Sequence, residues 1–213
     1  MTSRLGIYNE ALQLLGERTL ASLSEAREPR RQLDAAWDAG AIKYCLTRGL
    51  WNFAMRSVRM EYSTTIEPSF GYRRAYPHAD DFVRTAAVCS DEYFNNPLLQ
   101  YVDEAGYWFC DLDELFVRYV SDGNGYGNNL ALWPENFARF VAAYLAMKVC
   151  AGLTQSESKF QTMYKLQALY CKEAKATDAQ AGPTAFLPPG EWSRARRRNF
   201  TGRDIGSRGR LIG

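Results

Sequence analysis

Leu50-Trp51-Asn52-Phe53-Ala54 is the stretch at which the hydrophobic period of this chain changes. Upstream of it, apolar residues recur at helical spacing as far as Arg48-Gly49; downstream, from Met55, they alternate as they do in strands. Trp51 and Phe53 place two large aromatic groups at the change. Such side chains bury about 150–250 Å² each, enough to fasten one layer of a fold to another. The stretch therefore reads as a structural joint between a helical body and a β-rich insertion, with Trp51 and Phe53 as ordinary core aromatics that make the joint.

Working back from the joint, Leu33, Ala36, Trp37, Ala41, Tyr44 and Cys45 keep a helical period that begins near Glu28-Pro29, proline being tolerated in a first turn. Before that, Leu5, Tyr8, Ala11, Leu12 and Leu15 share one face of a helix over 4–15, which Gly16 can close in the left-handed conformation. Working forward, 55–65 and 70–76 read as strands, interrupted by Tyr76-Pro77. Asp80-Asp81 is expected to cap a turn or short helix over 82–88. Residues 99–102 and 107–110 read as a hairpin about Asp103-Glu104-Ala105-Gly106, and Leu115 to Val120 as a further strand of one small antiparallel sheet.

After the Gly/Asn loop 121–129, Pro134 opens a long helix with Phe137, Phe140, Val141, Tyr144, Leu145 and Lys148 on one face. Thr154-Gln155-Ser156-Glu157 has the pattern of a capping box. The helix it would open carries Phe160, Met163, Tyr164, Leu166 and Tyr170 and runs to about Ala181. The expected fold is mainly α with a β insertion: an antiparallel helical bundle from 1–54 and 134–181, a β-rich insertion over 55–133, and an extended basic C-terminal arm over 182–213.

The arm is set apart by charge. From Pro183 onward seven arginines face only Glu191 and Asp204, a net of +5, which leaves about −3 on the rest of a chain whose formal net is +2. Pro188-Pro189-Gly190 and the later glycines forbid regular structure and supply little to bury. Trp192 with Arg194, Arg196, Arg197 and Arg198 combines an aromatic anchor with guanidinium groups, the types enriched at protein hot spots. The same composition also suits nucleic acid. There is neither an apolar leader-like run after Met1 nor a run of about 18 apolar residues, so neither a signal peptide nor a membrane span is expected. Five cysteines without C-x-x-C spacing are expected to be reduced and buried.

A search for catalytic or metal chemistry finds weak candidates. The lone histidine, His78, sits in a turn beside two aspartates, where a structural role outweighs a ligand role. Asp111, Asp113 and Glu114 crowd a turn in which aspartate is favoured for local hydrogen bonding. Gly123 to Gly127 is glycine-rich but lacks the Lys-Ser/Thr of a phosphate loop. No catalytic, cofactor or metal-binding residue is assigned, and no enzymatic activity is expected.

Taken together, several segments resemble the head-to-tail adaptor, or tail tubular protein A, family of short-tailed bacteriophages. They are Asn9-Glu10-Ala11-Leu12-Gln13-Leu14-Leu15-Gly16 with Ser22-Leu23-Ser24-Glu25, the Trp-x-Phe-Ala of Trp51 to Ala54, and Val117 to Val120. The hairpin 134–181 and the arm with Trp192 and Arg194 to Arg197 complete the match. Residues 72–81 fit the family's Tyr…Leu-Pro-x-Asp pattern imperfectly, with Tyr76 in place of leucine. The resemblance implies a structural protein of the virion neck, assembled in the host cytoplasm into a homo-oligomeric ring, twelve-fold in the family. Its partners would be the portal protein and a tail nozzle protein of the tubular B type, with DNA passing through the channel unbound. Pro188, Pro189, Trp192 and the four following arginines would be the portal- and neighbour-binding arm. The alternatives are a nucleic-acid-binding protein acting through its Arg-rich tail and, further off, a cell-wall glycan hydrolase.

Overall fold

Ser3 starts the first helix by accepting a hydrogen bond from the Gly6 amide on its Oγ at 3.1 Å, and α1 then runs Arg4–Leu15. Gly16 ends it at φ 74°, a conformation in which a Cβ would be strained. The structure, a computed structural model, describes residues 2–66, 68 and 71–182. The second helical stretch, α2 (Glu28–Ala36), carries Pro29 in its first turn, as its sequence indicates. It does not continue unbroken to Arg48. Gly40 at φ 90° opens a π-helical turn over Trp37–Ala41, and the helix resumes as α3 (Ile42–Thr47). A wider turn here lets Trp37 reach both Tyr8 and Trp133, at ring-centroid distances of 5.7 and 6.4 Å.

Among the described residues six strands follow: β1 (Met55–Met60), β2 (Arg74–Pro77), β3 (Phe82–Cys89), β4 (Val102–Glu104), β5 (Tyr107–Cys110) and β6 (Leu115–Ser121). They form two antiparallel three-stranded sheets rather than one, in the orders β1-β6-β3 and β2-β5-β4. The turn or helix expected over 82–88 is strand β3, paired with β6 through two register shifts. Five of its six residues from Phe82 to Ala87 are only half-buried, and Val88 and Cys89 are buried, so no helical face exists to support the alternative. Pro77 does not interrupt a strand but ends one, opposite Tyr107 on the edge strand β2, where a missing amide costs no ladder bond. β1 stops at Met60, short of the expected 65. The hairpin is as read, but its turn tightens to two residues, Ala105 (φ 53°) and Gly106 (φ 83°), with Glu104 paired to Tyr107.

α4 (Glu135–Thr154) and α5 (Glu157–Ala181) make the antiparallel hairpin. The expected capping box is not formed. Thr154 still belongs to α4 and donates its hydroxyl to the Cys150 carbonyl, Gln155 turns left-handed at φ 48°, and Ser156 alone caps α5. α4 is apolar enough to cross a membrane by composition, but its apolarity has a nearer cause: α1, α2 and α5 all pack on it, and eleven of its residues are buried.

The alternation of β6 sets the layering. Leu115, Val117 and Tyr119 face the second sheet, in a cluster with Tyr76, Val88 and Trp108. Val120 faces the other way, into the helical core with Leu12, Leu33, Trp51 and Phe137, and Met55 and Val83 pack there beside it. One sheet thus lies between the helices and the other sheet, within a compact unit that extends to Ala181. The protein is mainly α with small antiparallel sheets, as its periodicities indicate.

Candidate functional site

The joint is built as a knot of buried contacts. Trp51 is 1% exposed and lies edge-on to Phe137 at 4.8 Å, with Phe53 also 4.8 Å from Phe137. The Trp51 indole donates to the carbonyls of Cys45 and Leu46, at 3.2 and 3.1 Å, so it also caps the end of α3. Gly49 is needed because a Cβ there would come within 2.9 Å of the indole ring. Next to it, the Asn52 amide donates to the Asp178 carboxylate at 3.0 Å, and the Asn52 side chain donates to the Asp178 carbonyl at 2.8 Å. The joint therefore fastens α3, α4, the start of β1 and the last turns of α5 together. Burial raises the Asp178 carboxyl above the usual carboxylate range, against the opposing pull of the Asn52 amide.

Asp81, expected as a cap, is instead the hub that fixes the far side of the sheet. It accepts from Arg56 (2.7 Å), Tyr119 (2.8 Å) and Ser121 (2.5 Å), from three different strand positions. Burial alone would raise its carboxyl, but the bonds from Ser121, Arg56 and Tyr119 outweigh it and hold the group below the usual range. Ser121, fully buried, passes the network on by accepting from the Gly123 amide. The Gly/Asn loop is thereby folded back on the joint. Gly127 donates to the Ser121 carbonyl and accepts from the Trp133 indole at 2.8 Å, and a Cβ on it would collide with Ser121 and Leu46. Close approach of backbone explains these glycines without a phosphate.

His78 lies between the rings of Phe82 and Trp108, each 4.0 Å away, and its Nε2 is 3.2 Å from Asp103, off the direction of a hydrogen bond. Burial lowers its pKa in spite of that carboxylate. In the acidic turn, Asp111 accepts from the Arg73 amide, Asp113 pairs with Arg74 at 3.0 Å and Glu114 pairs with Arg59. Each carboxylate is thus engaged separately. The five cysteines are all buried and free, as read. Among the described residues no group of three or more His, Cys, Asp or Glu is placed to hold a metal ion.

Sequence reasoning placed Tyr44 and Tyr164 on core faces, and the structure moves both outward. Tyr44 stacks on Tyr144 at 4.4 Å, carries the Arg48 guanidinium over its ring at 5.5 Å and is 38% exposed, and Tyr164 is 56% exposed. With Arg48, Gln167, Lys172 and Lys175 they line a groove of about 290 Å³ between α3 and α5. The spacing of 164, 168, 172 and 175 along one side of α5 was the available signal, hidden because the core stripe of the helix runs beside it. The arm residues Pro188, Pro189, Trp192, Arg194, Arg196, Arg197 and Arg198 lie outside the described residues. Compared with known proteins, the chain matches no family model and no curated protein.

Proposed function

We propose that this protein is a head-to-tail adaptor of a short-tailed bacteriophage, a ring-forming structural protein that joins a portal to a tail nozzle around the DNA channel. The observation that carries the reading is the joint. The segments whose sequence resembles the adaptor family are those that hold element to element. Asn9 clamps the connection after α1 by exchanging hydrogen bonds with both the amide and carbonyl of Leu20, at 2.7 and 3.1 Å. Trp51, Asn52 and Phe53 fasten the β module and the end of α5 to the bundle. A connector transmits load between large partners and needs a body whose modules do not slide, and no catalytic role is asked of any residue.

In this reading segment 183–213, with its net +5 charge, reaches from the body to the portal and to adjacent adaptor copies. Trp192 supplies the apolar anchor, and Arg194, Arg196, Arg197 and Arg198 pair with carboxylates. Ordering such a segment costs about 1–2 kcal/mol per residue in backbone entropy, so only a long partner surface offsets it. The test is a chain ending at Gly182, compared with the full chain by electron microscopy and sedimentation in the presence of the candidate portal ring. The shortened chain is expected to fold, since the compact unit ends at Ala181, and to fail to join the portal or close a ring. Full portal affinity in the shortened chain, with loss of DNA binding instead, would replace this reading with the tail-dependent nucleic-acid one.

A further inference from the structure

We propose that the outer edge of β4, with the loop before it, docks segment 183–213 of a neighbouring copy, which adds to the β2-β5-β4 sheet as a fourth strand. The proposal rests on the adaptor reading and names the surface through which copies join. The hairpin decides which backbone groups are free. Its two-residue turn sets Glu104 opposite Tyr107 and Asp103 opposite Trp108. Glu104 and Val102 therefore bond to β5, while the amides and carbonyls of Tyr101 and Asp103 point away from it. No described residue takes these groups up from the outer side, and all three residues of β4 are exposed. An unpaired edge of this kind is a template for strand addition. The other edges are covered or unsuited to a basic strand. Ser63 donates to the Ala75 carbonyl of β2, and Leu98 donates to the Val88 carbonyl of β3. β1 carries Arg56 and Arg59.

The loop before β4 holds its own shape and yet leaves large apolar side chains in solvent. Asp91 accepts from the amides of Asn95 and Asn96 at 3.0 and 2.8 Å, and the Arg118 guanidinium lies 4.4 Å from the centre of the Phe94 ring. On that frame Tyr93 is 75% and Leu99 87% exposed, and Val102 follows on the edge strand at 36%. A loop already ordered keeps the entropic cost of docking low. Apolar side chains left bare on it are released from water only when a partner covers them.

Charge chooses the occupant. Residues 91–104 hold four carboxylates and no lysine or arginine, a net of −4. Asp103 turns inward to the Thr85 hydroxyl and Asp91 into its own loop. Glu92 and Glu104 are exposed and pair with no cation among the described residues. Nucleic acid is repelled by this surface. So is a second β4 edge, which would set like charges opposite one another. Segment 183–213 carries a net of +5 and contains no proline beyond Pro189. Its Trp192, Arg194, Arg196 and Arg198 alternate, so an extended strand would put all four on one face. They offer one apolar group and three cations to an edge that presents Leu99, Val102, Glu92 and Glu104. The donor is a neighbour because a contact between two different surfaces of one chain, repeated from copy to copy, is the head-to-tail kind that closes into rings.

The experiment uses the full chain and, as probe, a fluorescein-labelled peptide of residues 190–204. Affinity is read by anisotropy, and amide exchange by NMR locates the peptide. The amides of Tyr101 and Asp103 should slow when it binds, while those of Val102 and Glu104, already bonded to β5, should not change. Glu92→Lys with Glu104→Lys is expected to weaken binding by about fivefold or more at low salt, and by less as salt screens the pairs. Leu99→Ala is expected to weaken it by about threefold. These side chains are exposed, so the variants should keep the parent's melting temperature. The donor is identified with benzoylphenylalanine in place of Leu99, in a mixture of light- and heavy-nitrogen full chains. Cross-links to residues 192–198 should join light chains to heavy ones. Cross-links confined within single chains would seat the segment on its own copy and overturn the proposal, as would none at concentrations where the peptide binds. Equal affinity for a peptide of the same residues in scrambled order would reduce the contact to charge and overturn strand addition, as would slowed exchange at positions other than 101 and 103. Each of these failures leaves the adaptor reading standing, since that reading is tested by portal joining in the chain ending at Gly182. Failure there leaves the peptide and exchange results to be read by themselves.

Discussion

Replacing Trp51 with alanine should loosen the whole molecule rather than one contact. Trp51 is 1% exposed, lies 4.8 Å from Phe137, and donates its indole N–H to the last carbonyls of α3. Truncating a large buried aromatic costs about 3–5 kcal/mol in lost transfer energy and cavity. The two carbonyls left without their donor add about 1 kcal/mol. Against a typical total stability of about 5–15 kcal/mol this is a large share, and for a domain of this size it amounts to a fall in Tm of roughly 8–24 °C. Thermal and urea unfolding followed by circular dichroism measure it. Hydrogen exchange should also quicken first in Met55–Met60, the strand that leaves the joint. Trp51→Phe separates packing from polarity: it keeps most of the ring area and loses only the N–H, so its cost should be about 1–2 kcal/mol. A Trp51→Ala midpoint within about 2 °C of the parent would refute the joint as a packing device. A Trp51→Phe variant as damaged as Trp51→Ala would move its stabilisation from packing to the hydrogen bond.

Asp81→Asn, which leaves Arg56 without its carboxylate, should cost about 2–3 kcal/mol, less than for a fully buried pair because Arg56 is partly exposed. The Asp81 pKa is depressed in the folded state, so its contribution is present above its unfolded value of about 3.8 and is lost as pH falls through the lower folded one. The acid limb of a stability–pH curve should therefore flatten in the variant. His78 is the lone histidine, so its ring resonances can be titrated without ambiguity. Its midpoint should lie below the ordinary 6.5, and its contribution to stability should fall as pH drops from 6.5 towards that lower folded pKa, because the unfolded chain takes up the proton first. Asp178→Ala should free the last turn of α5, seen as faster amide exchange there. Asp178→Asn keeps an acceptor for Asn52 without a half-buried charge and should hold or raise stability at neutral pH.

The helices were legible because their signals are local. Gly16, Pro29 and Pro134 each act within one turn of themselves, and all three act where the sequence puts them. The period change at Trp51 was legible for the same reason. β3 was misread because an Asp-Asp pair looks like a helix start, and what overrules it is pairing with β6, 27 to 39 residues on from Cys89↔Phe116 to Phe82↔Ser121, which no local pattern contains. The break at Trp37–Ala41 could have been suspected from Gly40 alone, yet glycine inside a helical pattern is more often merely tolerated. Asp81 illustrates the deeper limit. Its three side-chain partners lie 25, 38 and 40 residues away, so its role exists only once the sheet has formed.

The same distinction orders the functional residues. Asn52 and Asp178 lie 126 residues apart, and their bond ties the place where the chain leaves the bundle to the place where it comes back to an end. Asp81 ties the strands beyond that joint to the loop that leads into α4. Of the two carboxylates, Asp178 ties the start of the β module to α5, and Asp81 ties β1 and β6 to each other and to the loop after β6. Contacts of this kind stabilise any compact domain, and in the connector proposed above they would also keep the β module fixed on the bundle while both are held between larger partners.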